Sequence, residues 1–165
     1  MGNCETVFDS DIELQIYAAC DQIEKDTQRQ ILNATYEHNQ DCFGDYIELK
    51  MRPITSVQSV TYLDTDGVSQ TLDAADWRFD QSRQWILPAA GETFPTTLED
   101  LNAVTVTYTA GYGADADCIP RLLKQGIMLL VANWFMDPAS ESTTRIQGLP
   151  AYERLVNLLQ VGIYP

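Results

Sequence analysis

Val104-Thr105-Val106-Thr107-Tyr108 alternates apolar and polar residues, and beyond Pro120 the run Leu122, Leu123, Ile127, Leu130, Val131, Trp134, Phe135 is spaced by threes and fours. Strict alternation puts Val104, Val106 and Tyr108 on one face of a strand, turned to a core. The second spacing belongs to a helix. Pro120 fits its first turn, where a missing N–H does no harm. Its apolar residues wrap most of the circumference, which predicts a long, buried central helix. Gly126 in its middle costs about 1 kcal/mol against Ala. A close crossing with Ala18 or Ala19 of an earlier helix would offset that. Asp137-Pro138 ends the run.

Toward the N-terminus the strand-like period extends back to about Thr35. Tyr46 to Leu49, Val57 to Leu63, Gln70 to Leu72, Trp77 to Phe79 and Trp85 to Leu87 each predict a short strand. Pro53 interrupts the first pair, and Asp66-Gly67 offers the positive φ angles of a tight hairpin. Before Thr35 the spacing is helical again. Ser10-Asp11-Ile12-Glu13 reads as a capping box that starts a first helix at Ser10. Ile12, Ile16, Ala19 and Ile23 form its apolar stripe, which fades near Ile31. Beyond the central helix, residues 138–148 form a polar loop. A last short helix begins near Pro150 with Tyr152, Leu155, Leu158 and Leu159 inward, followed by the apolar tail Val161 to Pro165. The expected architecture is α+β: a small helical bundle (N-terminal helix, long central helix, short C-terminal helix) with an inserted antiparallel β-sheet and hairpin region, in one domain over 1–165.

The 165 residues suffice for one core without metal or disulfide support. Hydrophobic residues make up 45% and charged ones 21%, a globular rather than a disordered balance. Ten Lys and Arg against 24 Asp and Glu leave a formal charge of −14. Such a surface repels phosphates, because nucleic-acid binders neutralise them with clustered Lys and Arg. Acidity alone means solubility; its sharper reading is a wall along which DNA slides without sticking. Cys4, Cys20, Cys42 and Cys118 contain no C-x-x-C pair, and His38 is the single histidine, so no Cys/His zinc site is expected. The N-terminus has no basic-then-apolar leader. The longest apolar run, Ile127 to Phe135, is far below the ~20 residues a membrane helix needs.

The chemistry-bearing motifs reduce to structural ones. Gly111-Tyr112-Gly113 lies between strand and helix but lacks a third glycine and a Gly-Lys, and Asp115 and Asp117 would repel a phosphate; it is a turn. Asp64-Thr65-Asp66-Gly67 begins like a calcium loop, but its glycine comes two positions early and Ala75 replaces the bidentate Glu. His38 has no marked partner for general-base work, and Cys42 nearby completes no triad order. Paired carboxylates such as Glu99-Asp100 mean little in so acidic a chain. Trp77, Trp85 and Trp134 with Tyr108 and Tyr112 could stack on bases, but without basic neighbours they read as core. No active site, cofactor or metal is expected.

The stretch from Leu49 through Arg52-Pro53-Ile54, Ser56-Val57, Val60-Thr61-Tyr62 and Asp64-Thr65-Asp66-Gly67 resembles the phage head–tail connector (head-completion adaptor) family. That family shows a Leu, Arg-Pro-Val, Ser-Val, Val-x-Tyr and Asp-x-Asp-Gly. Trp77-Arg78-Phe79-Asp80, Gly91-Glu92-Thr93-Phe94-Pro95 and Val104 to Gly113 follow in the family's order. The Pro120 helix with Ala132-Asn133-Trp134-Phe135, and Leu149-Pro150 before Leu158-Leu159, complete it. The resemblance covers Ser10 to Leu159 and extends to phage-like gene transfer particles. Only about nine residues precede the first helix, where many members carry an extra segment.

The resemblance implies a non-enzymatic structural virion protein. Its partners would be copies of itself in a dodecameric ring, the portal protein, and the next connector, stopper or tail protein. DNA would pass through the lumen unbound, and no membrane is involved. The place would be the head–tail interface of the virion, and the host cytoplasm during assembly. Exposed elements expected to reach partners are the hairpin tip at Asp64, Asp66 and Gly67, the loop at Arg145, and the tail at Ile163 and Tyr164. The alternatives are an acidic DNA-mimic inhibitor, a small hydrolase using its carboxylates, and another tail-completion protein.

Overall fold

The computed structural model describes residues 5–136 and 150–160, with side chains from Ser10 onward. In these stretches the chain forms two compact units. One is helical, from the N-terminal residues to Ile31 and again from Asp115; the other is all-β, from Leu32 to Ala114.

In the helical unit α1 spans Glu5–Thr27, α2 Arg121–Met136 and α3 Pro150–Gln160, with a short 3-10 turn at Ala116–Cys118. The three α-helices pack on one another through Ala19 and Ile23 of α1, Leu123 and Leu130 of α2, and Tyr152, Leu155 and Leu159 of α3, all buried. Gly126 lies at this junction. A Cβ there would stand 3.0 Å from Ile23 Cδ1 and 3.2 Å from Leu155 Cδ2. The close approach is therefore to Ile23 and Leu155, not to Ala18 or Ala19.

Polar groups finish the unit. The chain leaves α1 through Gln28 in a left-handed conformation at φ 53°. The Glu24 carboxylate then accepts the Ile31 N–H at 2.8 Å. Arg29, buried to 6% exposure, donates through Nε to the Leu159 carbonyl at 3.1 Å. This places a cation where the last carbonyls of α3 gather negative charge. Asp26 ties α1 to α3: Tyr152 donates its hydroxyl to Oδ2 at 2.7 Å, and Gln22 donates to the same carboxylate at 2.9 Å.

The β unit holds seven strands, all paired antiparallel: β1 Ala34–Gln40, β2 Ile47–Glu48, β3 Ile54–Leu63, β4 Ser69–Thr71, β5 Trp77–Asp80, β6 Trp85–Pro88 and β7 Val104–Ala110. They form two sheets, in the orders β1-β7-β3-β4 and β2-β6-β5. One core takes Val60, Val104, Val106 and Tyr108 from the first and Ile47 and Ile86 from the second, with Leu49 beside them. Phe43 closes its edge, stacked on Phe94 at 4.6 Å and edge-on to Tyr62 at 5.6 Å.

The α+β class holds, but a small helical bundle with an inserted sheet does not fit. Helices and strands segregate into separate units, and the strands form two sheets rather than one. Among the described residues there is no long central helix: α2 has 16 residues against 23 for α1. Nor is α2 buried all round. Leu123, Gly126 and Leu130 are covered, while Met128, Phe135 and Met136 are 64%, 58% and 85% exposed. An apolar circumference expresses composition, whereas burial needs neighbours on every side, and α1 and α3 cover only one. α1 also begins at Glu5, ahead of Ser10. Ser and Glu three apart recur inside helices as well as at their starts, and no Gly or Pro interrupts Glu5 to Asp9. In α3, Leu158 is turned out, 48% exposed. The strand β1 has no counterpart among the expected strands, because its sequence Ala-Thr-Tyr-Glu-His-Asn-Gln carries no run of β-branched residues.

Candidate functional site: exposed surfaces for partners

The hairpin between β3 and β4 is built around Asp64. Its Oδ1 accepts the N–H groups of Asp66 at 3.0 Å and Val68 at 2.9 Å, and its Oδ2 accepts Gln70 Nε2 at 2.8 Å. These bonds, Gln70 foremost, hold its carboxyl below the usual range. The Asp64 backbone completes the turn, accepting from Gly67 N at 2.9 Å and donating to Val68 O at 3.0 Å. Gly67 takes φ 76°, open to glycine at no steric cost. Asp64 is thus committed to shaping the loop, and Asp66, Gly67 and Val68 form the exposed tip. Arg145, Ile163, Tyr164, the 138–148 loop and the tail lie outside the described residues.

Gly111-Tyr112-Gly113 is a strap rather than a ligand loop. Gly111 N donates to the Pro53 carbonyl and Asn33 N donates to the Gly113 carbonyl, both at 2.9 Å. An N–H already bonded to a carbonyl is not free for a phosphate. The strap leads into the 3-10 turn before α2 starts at Arg121, so no glycine abuts that helix.

His38 sits half-buried on β1 opposite Val106. Burial first, and Lys50 second, push its pKa down, against a hydrogen bond to Gln40. Cys42 is exposed. A shallow groove of about 390 Å³ is lined by Asp41, Cys42, Glu99, Asp100 and Leu101. Two of its carboxylates are occupied by loop backbone, Asp41 by Asn102 N at 2.9 Å and Asp100 by Leu101 N at 2.8 Å. Among the described residues no cluster of three or more His, Cys, Asp or Glu could hold a metal ion. No helix of the described residues is long and apolar enough to cross a membrane. Tyr108 is buried, and Trp85 stacks on Tyr46 at 4.0 Å with Arg83 over its ring at 5.3 Å.

What remains open is apolar surface on helices. Leu14 and Tyr17 of α1 are each 68% exposed, and Met128 and Phe135 of α2 are bare as well. Sequence patterning missed these because it assigns every periodic apolar residue to a core. The available signal was an excess: α2 has more apolar residues than one buried stripe requires.

No protein-family model matches the chain, and no curated protein matches it significantly. Solved structures do match. A chain in the neck of an empty gene transfer agent particle, computed with C6 symmetry, aligns at TM-score 0.73 and 22% identity, over 92% of this chain and 78% of that one. A chain in the virion of the native gene transfer agent particle aligns at 0.72 and 22%, over 97% and 79%. A chain in the native particle's neck, computed with C12 symmetry, aligns at 0.68 and 22%, over 90% and 81%. The protein has the fold of these particle chains, and the resemblance read from its sequence is borne out at the level of the fold.

Proposed function

We propose that the protein is a non-enzymatic structural virion component, one subunit of a ring that joins the portal of a DNA-filled capsid to the tail and extends the DNA channel. The observation that carries this reading is the fold, shared over 92% of the chain with a protein of a particle neck. The order of motifs from Leu49 to Gly113 supports it independently. The whole chain acts as one connector domain. Subunits meet head to tail, a heterologous contact that rotation closes into a ring. The dodecameric number follows the sequence resemblance and accords with the C12 symmetry of one matching neck. The hairpin tip at Asp66 and Gly67, with Arg145, Ile163 and Tyr164, reaches the portal and the next connector or tail protein. A net charge of −14 keeps DNA from adhering to the lumen. The protein works in the virion after assembly in the host cytoplasm.

Electron microscopy of the purified protein mixed with DNA-filled, tailless capsids tests this. Added ring density at the single portal vertex is the expected result. Absence of both rings and vertex binding would refute the reading and favour a DNA-mimic inhibitor.

A further inference from the structure

Asp66 is the single Asp or Asn in the chain that glycine follows. In such a pair the backbone nitrogen of the second residue can attack the side-chain carboxyl of the first. Glycine, with no Cβ, offers the least hindered nitrogen. The pair stands at the tip of the β3–β4 hairpin, where residues 65–70 are all exposed. Among the described residues no hydrogen bond or ion pair engages the Asp66 carboxyl, so it can turn toward Gly67 N. The surroundings are open as well: even a Cβ on Gly67 would find its nearest neighbour, Leu98 Cδ2, at 4.0 Å.

Asp64 acts against this attack. Its Oδ1 accepts the N–H groups on either side of Gly67, from Asp66 at 3.0 Å and Val68 at 2.9 Å. Its carbonyl accepts the Gly67 N–H itself at 2.9 Å. Gln70 steadies the carboxylate from across the hairpin, 2.8 Å from Oδ2. To react, Gly67 N must shed its proton and swing from the Asp64 carbonyl toward Asp66 Cγ. Neither happens while the three N–H groups stay bonded.

From this arrangement we infer that Asp66 is a site of spontaneous backbone isomerisation, and that the Asp64 side chain sets its rate. Gly67 N forms a bond to Asp66 Cγ, and the amide proton leaves with the carboxyl hydroxyl as water, giving a succinimide. Water then adds back and opens either of the two C–N bonds. Opening at Cγ restores aspartate. Opening at the backbone carbonyl carbon leaves isoaspartate, with the chain routed through Cβ and Cγ. The sequence consumes only the water it released and needs no oxidant or cofactor. Its product lengthens the backbone at the tip and reshapes a surface proposed above to reach partners, but the inference does not depend on the ring reading.

Peptide mapping tests this, using an endoproteinase that cleaves before aspartate but not before isoaspartate, with fragmentation mass spectrometry to place the product. Protein aged near neutral pH is compared as folded wild type, wild type in urea, and folded Asp64→Ala and Gln70→Ala. Circular dichroism checks the folded samples. In urea, isoaspartate is expected at residue 66 before any other position. The folded wild type should be slower there by at least about fivefold, a factor that corresponds to about 1 kcal/mol of barrier. Asp64→Ala, which keeps the backbone carbonyl but loses Oδ1, should recover at least about half of that difference on a logarithmic scale. Gln70→Ala, an exposed change that removes only the support of Oδ2, should shift the rate the same way by less, and it carries the test if Asp64→Ala does not fold. Isoaspartate that forms elsewhere first in urea overturns the site. Folded variants that isomerise no faster than the folded wild type overturn the control by Asp64.

Discussion

Gly111→Ala should be among the most damaging single-methyl additions in the protein. Gly111 takes φ +139°, a region L-residues rarely enter, and a Cβ there would fall 2.6 Å from both Asn33 Cα and Asn33 N and 2.7 Å from the Leu32 carbonyl carbon. Carbon atoms in favourable contact sit roughly 3.5–4.0 Å apart. The obstacle is backbone, which cannot swing aside like the end of a side chain. Two costs add. The strained backbone conformation contributes about 1–3 kcal/mol, and forcing extra volume into a packed site contributes about 1–3 kcal/mol more. Gly91→Ala separates them, because Gly91 has φ +86° but nothing within 4 Å of its would-be Cβ. Only the conformational cost, about 1–2 kcal/mol, should appear there. Urea denaturation followed by tryptophan fluorescence measures both variants, read as midpoint shifts at constant slope. Gly111→Ala is expected to exceed Gly91→Ala by at least about 1 kcal/mol. Equal losses within about 0.5 kcal/mol would refute the argument that backbone approach, rather than conformation, demands glycine at 111.

Tyr152→Phe removes the donor to Asp26 and should destabilise by about 1.5–3 kcal/mol, the range for a hydrogen bond to a charged group, measured by thermal or urea unfolding. Burial first, and Asp26 second, raise the Tyr152 pKa. The folded state therefore keeps its proton above pH ~10 where the unfolded chain releases it, so wild-type stability falls as pH rises past ~10, and the Phe variant should lose that part of the fall. For His38 the sign is reversed. Its folded pKa is depressed, so its contribution is full above the unfolded value near ~6.5 and is lost as pH falls below it. The stability difference between wild type and His38→Gln should shrink from pH 7 to pH 5 in a denaturant titration; a pH-independent difference would show that folding does not lower the His38 pKa.

Much of the chain was legible because its signals are local. Strict alternation in Val104 to Tyr108 fixed β7 and its buried face, since a strand's two sides are set by the backbone alone. Asp66-Gly67 announced a hairpin, but only Gly67 takes a positive φ, and the connection between β3 and β4 runs over residues 64–68 rather than a tight two-residue turn. At Gly111-Tyr112-Gly113 the expectation was a turn; the bonds to Pro53 and Asn33 that tie this segment down come from residues distant in sequence. Within the β3–β4 hairpin the exposed tip was legible, but the role of Asp64 as the turn's internal acceptor was not. That role depends on Gln70 arriving across the hairpin.

What only the tertiary structure decided are the matters set by neighbours distant in sequence. Sequence alone determined the α+β class, the strand faces and the strong acidity, because each depends on residue type and short-range spacing. It could not say that the helices and strands segregate, that the strands split into two sheets, or that β1 pairs along its length with β7. Pairing is a choice among partners, and a polar strand such as β1 is defined by the strand beside it. Nor could it say which side of α2 stays bare. Hydrophobicity is a property of the residue, but burial is a property of the packing. The exposed Met128 and Phe135, opposite a side occupied by α1 and α3, became visible only once the fold had placed the helices.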